Sequence, residues 1–215
     1  MRIFMPHIQR SCHHIRHDRS VGNIETGAIQ CFNVKTLAFI LERFGEFNLA
    51  GELYQWVLDR EEMSLRKDHP DILSTVRCMA GVFHDQGRYE EALEWYRRAL
   101  AGQEKSLGKD HPNTLSTVHG IANAIHGKGN YDEALEWHRR ALAGREESLG
   151  KDHPDTLSSV SGMAAIFQEQ GKGEEALELY RIALAGQEKS LGKDHPQSLA
   201  TSRSIAEMLQ KQGLE

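Results

Sequence analysis

A period of 42 residues constrains this chain more than any single motif in it. The word KDHP returns at 67–70, 109–112, 151–154 and 193–196, which spaces His69, His111, His153 and His195 evenly. Longer copies surround it: YEEALEWYRRALAGQEKSLGKDHP from Tyr89, YDEALEWHRRALAGREESLGKDHP from Tyr131 and GEEALELYRIALAGQEKSLGKDHP from Gly173. A fainter copy precedes them, with Gly45, Phe47, Ala50, Tyr54 and Leu58 on the register of Gly87, Tyr89, Ala92, Tyr96 and Leu100. Half a copy follows, from Pro196 to Gly213. Self-similarity at such a period means a stack of supersecondary units, each burying its neighbour's apolar face.

Within one unit, Val118, Ile121, Ala122 and Ile125 recur at helical spacing, GKGN breaks the chain, and Ala134, Leu135, His138, Ala141 and Leu142 resume the helical pattern. Each unit is therefore predicted to be a helical hairpin. Small residues mark the closest approach of its helices: Ala80, Ala122, Ala164 and Ala206 on the first, and Ala92, Ala134, Ala176, Ala99, Ala141 and Ala183 on the second. The carboxylates that open each second helix, as in YEEALE, suit the positive end of its dipole, and Glu94–Arg98 and Glu136–Arg140 are spaced for i,i+4 pairs. Trp95 and Trp137 share a slot with Leu53 and Leu179, which reads as packing.

An acid beside a histidine invites a catalytic or metal-binding reading of the linker. Stacked repeats, however, set equivalent residues about a helix diameter, roughly 10 Å, apart, whereas ligands of one zinc must converge within about 4 Å of each other. The four histidines cannot share a metal. Proline at a first helical position loses no hydrogen bond, and Asp110 or His111 is suited to cap the amides that follow, while Gly108, Gly150 and Gly192 suit a helix end.

The slots filled by Ala122, Gly129, Tyr131, Ala134, His138 and Ala141 resemble those of the tetratricopeptide repeat. The 42-residue period and the DHP linker resemble the kinesin light chain type, also found in the sensor arrays of fungal nucleotide-binding switch proteins. The resemblance spans about residues 28–213 and implies an all-α fold: a right-handed α-solenoid of helical hairpins, with about four and a half repeats and nine helices. Repeats are expected near 28–69, 70–111, 112–153 and 154–195, with a capping helix at 196–213, so that 26–215 is the array. It implies adaptor or scaffold work, with the concave wall lined by the first helix of every unit. An alternative is a sensor or adaptor fragment of a larger fungal switch or of a cargo adaptor.

Charge narrows the partners. Residues 1–20 carry a net +3 while the whole chain carries −5, so the array is acidic; nucleic-acid binding, which depends on neutralising phosphates, is not expected. No apolar run reaches membrane-spanning length. Cys12, Cys31 and Cys78 are odd in number and share no metal-ligand spacing, which points to a reducing, cytoplasmic setting. Residues 1–25 read as a poorly structured basic tail; Cys12, His13, His14 and His17 within it are the one local cluster that could take a metal, a minor reading. No Walker loop, nucleophile elbow, HExxH or paired CxxC occurs, so no enzyme and no cofactor is expected.

Function is then expected where the repeats stop agreeing. One slot of the first helices holds Lys35, Arg77, His119, Ser161 and Arg203; four residues on stand Phe39, Gly81, Asn123, Ala165 and Glu207; three further on stand Glu42, His84, His126, Gln168 and Gln210. The predicted binding surface is a groove of Lys35, Phe39, Arg77, His84, His119, Asn123, His126, Ser161 and Arg203. It would take a protein or peptide segment, with Lys35, Arg77 and Arg203 meeting acidic groups and His84, Asn123 and His126 bonding its backbone.

Overall fold

A computed structural model describes residues 24–213. Among these residues the chain forms nine α-helices and no strand: α1 Ile24–Arg43, α2 Phe47–Ser64, α3 Pro70–Asp85, α4 Tyr89–Ser106, α5 Pro112–Gly127, α6 Tyr131–Leu149, α7 Pro154–Glu169, α8 Gly173–Leu191 and α9 Pro196–Gln212. The Cys12, His13, His14 and His17 cluster, like most of the 1–25 tail, lies outside the described residues.

The linker word is a helix start. His69, His111, His153 and His195 each sit in extended backbone ahead of a proline at the first helical turn, and each Nδ1 accepts a hydrogen bond from the amide two residues on, at 3.1–3.2 Å. Thr114, Thr156 and Ser198 then donate to the carbonyls of Gly108, Gly150 and Gly192 at 2.8 Å, closing the linker on itself. His111→Ala removes one cap and should cost about 1 kcal/mol; a chemical denaturation curve reads it, and a loss of several kcal/mol would give the histidine a larger part than capping. Inside each hairpin the turn falls on Gly45, Gly87, Gly129 or Gly171, all with φ between +74° and +80°, where a side chain would strain the backbone.

The chain divides into two compact units, Met1–Gly102 and Gln103–Glu215, the division falling within α4. In the first, α1 packs on α2 and α2 on α3, around Val34, Ala38, Leu41, Ala50, Leu53, Tyr54 and Val57. In the second, α5 to α9 pack in consecutive pairs, and α5 also touches α7, so that first helices of successive repeats are neighbours. Ala80, Ala122 and Ala164 and their partners Ala92, Ala134 and Ala176 are fully buried, as the register requires.

The structure corrects two expectations. Arg98 and Arg140 do not pair along their own helix; they reach back 36 residues to Glu62 and Glu104 on the preceding second helix, and Glu136 pairs with Arg139 instead. An exposed pair such as Arg98–Glu62 contributes about 0.2–1 kcal/mol; Arg140–Glu104 is part-buried. In α9, Leu199 is half exposed and Ala206 is exposed, because the second helix that would cover them has no counterpart after α9 among the described residues. Among the α9 residues whose side chains are described, Ser198, Thr201 and Met208 are buried, with Ile205 and Leu209 partly covered.

Candidate functional site

Every sequence-predicted site residue lies on a first helix: Lys35 and Phe39 on α1, Arg77 and His84 on α3, His119, Asn123 and His126 on α5, Ser161 on α7 and Arg203 on α9. None belongs to the tightly packed core; Phe39 and Arg203 are exposed and the rest are half-buried.

In the N-terminal unit Lys35 is already engaged. Its Nζ lies 2.7 Å from Glu61 Oε1 and 3.4 Å from the Asp71 carbonyl, and Glu61 is in turn held by Thr75 at 2.7 Å. Lys35 therefore satisfies a buried acid of its own chain. His84 meets Asp85 at 3.0 Å and stands edge-on to Tyr89. Phe39, Phe32 and Phe44 expose large apolar area on and just after α1. Tyr54, fully buried, donates to Glu42 Oε2 at 3.3 Å; burial, followed by the charge of Asp85, raises the Glu42 pKa. Burial also pushes the thiols of Cys31 and Cys78 up, which keeps both protonated and unreactive near neutrality.

In the C-terminal unit the histidines converge. The His119 and His138 rings stand edge to face with centroids 5.1 Å apart, and His126 Nε2 lies 3.1 Å from Glu169 Oε2 while its ring sits 5.9 Å from that of Tyr131. Ser161 Oγ is buried without a hydrogen-bond partner. Arg203 is exposed and forms no ion pair with a described residue. Among the described residues, no group of three histidine, cysteine or acidic side chains is placed to hold a metal ion, and no helix is long and apolar enough to cross a membrane.

Sequence reasoning missed a buried polar ladder that ties each second helix to the next first helix. Glu61–Thr75, Gln103–Thr117, Arg145–Ser159 and Gln187–Thr201 are hydrogen-bonded at 2.6–2.8 Å, always 14 residues apart. The signal was present as a polar residue after each ALAG or its equivalent and a hydroxyl 14 residues on. At Arg145, which is 3% exposed, the guanidinium also donates to the Asp155 carbonyl at 2.7 Å. Burial lowers its pKa.

Hairpins of this length, alanines at each crossing and a glycine in each turn define an all-α solenoid of the helical-hairpin class. The tetratricopeptide repeat profile matches residues 71–146, 116–160 and 156–214, and the chain belongs to the tetratricopeptide repeat family, with repeats of the kinesin light chain type. It is 30% identical to a putative kinesin light chain of nearly identical TPR-like repeats from Podosopora anserina, across 84% of this chain and 85% of that one, with a TM-score of 0.66. BtubC (BKLC) from P. vanneervenii is 20% identical over 97% of this chain and 83% of its own, with a TM-score of 0.73. A Rap protein complexed with Competence and Sporulation Factor shares the fold at 14% identity and a TM-score of 0.77, over 95% of this chain and 54% of that one. A search of curated proteins returns no match.

Proposed function

We propose that the chain is a non-enzymatic interaction scaffold that holds a protein or peptide segment against the first-helix wall of its units. One observation carries the reading. Along the first helices the packing alanines Ala80, Ala122 and Ala164 recur unchanged, whereas the slots beside them vary between repeats: His119, Ser161 and Arg203 in one, Asn123, Ala165 and Glu207 in another. A surface that only kept the stack soluble needs charge, not a different chemistry in each repeat. The likeness to a putative kinesin light chain favours an adaptor role within this reading.

An acidic partner segment fits a first-helix cation in each unit, Arg77 on α3 of the N-terminal unit and Arg203 on α9 of the C-terminal unit, but Lys35 drops out of the contact set because Glu61 neutralises it. Reversing Arg77→Glu and Arg203→Glu should weaken a partner about tenfold or more in a protein that circular dichroism shows to remain folded, since charge complementarity acts on recognition. Wild-type binding should also decline with added salt. A copurifying partner titrated against both proteins gives the answer: unaltered affinity in a folded double variant removes these arginines from the interface.

A further inference from the structure

One slot recurs in every repeat and carries different chemistry in one of them. It is the aromatic position of the second helix, held by Tyr54, Tyr96, His138 and Tyr180. Tyr54 and Tyr180 close it with a hydrogen bond from the phenol to the residue 12 positions earlier, Glu42 at 3.3 Å and Gln168 at 3.1 Å. His138 makes no such bond. Its side chain is fully buried, and neither Nδ1 nor Nε2 has a hydrogen-bond partner. The ring lies against α7 so closely that a Cβ built on Gly162 would stand 2.5 Å from Cε1 and 2.8 Å from Nε2.

Three of the groups around this ring are bases. From α5 come His119, in ring contact, and His126, which occupies the place of Glu42 and Gln168. From α6 itself come Arg145, whose charge acts on His138, and Tyr131, packed on His126. From α7 come Glu169, which lies 3.1 Å from His126 Nε2 and accepts a hydrogen bond from Tyr131, and Asp155, which acts on Arg145 and accepts from it through its backbone carbonyl. A proton arriving at His138 would thus meet no carboxylate of its own and would feel the charge of a buried guanidinium further along α6. A buried unpaired cation of this kind is tolerated only by opening the packing around it.

We propose that the His119–His126–His138 cluster makes the C-terminal unit an acid-released element: below neutrality the α5–α6–α7 packing loosens, while the equivalent slot of the N-terminal unit stays closed. The device is independent of which partner the scaffold holds. Burial first, then the charges of His126 and Arg145, lower the His138 pKa from 6.5 to about 4. The sign follows from linkage. Between about pH 6.5 and 4 the unfolded chain binds a proton at residue 138 that the folded chain refuses, so stability falls as the pH drops through that window and levels off below it. In the N-terminal unit the counterpart works in the opposite sense, because the raised pKa of Glu42 lets the folded state keep a proton that the unfolded state has lost.

The test compares wild type with His138→Tyr, which installs the residue that stands at 54, 96 and 180. Denaturant unfolding at pH 7.5 and pH 5.0 should show the wild-type unfolding constant rising about thirty-fold more than that of the variant, the ratio expected for one group at 6.5 in the unfolded and about 4 in the folded chain. Amide exchange at pH 5.0, corrected for intrinsic rates, should accelerate in α5–α7 and not in α1–α3. Equal pH dependence of the two proteins overturns the proposal, as does exchange that rises alike in both sets of helices. Should His138→Tyr fail to fold, the ring proton of His138 in the wild type decides by nuclear magnetic resonance: a titration midpoint below 5 supports the device, and one near 6.5 refutes it.

Discussion

Ala134→Glu should leave the C-terminal unit unfolded. Ala134 is fully buried where α6 crosses its hairpin partner α5, and its register equivalents Ala50, Ala92 and Ala176 are buried to the same degree. A carboxylate there would need both extra volume between two helices and a partner for its charge. Overpacking alone costs about 1–3 kcal/mol, and an unpaired buried charge costs several more. Together these rival the whole stability of a domain, roughly 5–15 kcal/mol. Circular dichroism at 222 nm and a thermal melt will show the loss; a variant melting within a few degrees of wild type would mean that the crossing is not where the fold puts it.

The second large effect is expected at Gly144, in the middle of α6. Glycine in a helix interior costs about 1 kcal/mol against alanine, so its presence needs a reason. A Cβ at 144 would lie 2.6 Å from Leu115 Cδ2 and 3.0 Å from Cδ1, and Leu115 is itself buried. Gly102 meets Leu73 and Gly186 meets Leu157 in the same way, each within the same unit. These are crossing points at which a leucine of the first helix lies on the bare backbone of the second. Gly144→Leu should therefore cost about 3 kcal/mol or more, read as a drop in the denaturation midpoint at unchanged slope. Gly144→Ala should cost far less, because gained helix propensity offsets a displaced Leu115 methyl. Equal losses for the two would point to backbone freedom, not to the contact.

The hairpins, their alanine crossings and the histidine–proline starts were legible because each rests on local chemistry repeated at a fixed interval. What escaped reading depends on the distance between helices. Gly144 lies within ALAG, and the leucine that requires it stands 29 positions earlier, outside any local pattern. Arg140 looked paired with Glu136 by spacing, whereas the geometry of stacked second helices brings Glu104 closer. Lys35 looked like a groove cation until the fold set Glu61 beside it, 26 residues on. His138 read as one more member of an aromatic slot. Only burial of the ring, against Gly162 and without a partner for either nitrogen, separates it from the tyrosines on its register.

The most direct test of the scaffold reading is to ask which helices touch a bound partner. A photo-reactive phenylalanine can be placed at Asn123 on α5 or Ser161 on α7, and in parallel at Glu136 or Arg139, exposed positions of α6. With a copurified partner bound, illumination should give covalent adducts from 123 and 161 and none from 136 and 139. Adducts from 136 and 139, with 123 and 161 silent in folded protein, would move the interface to the second helices and contradict the account.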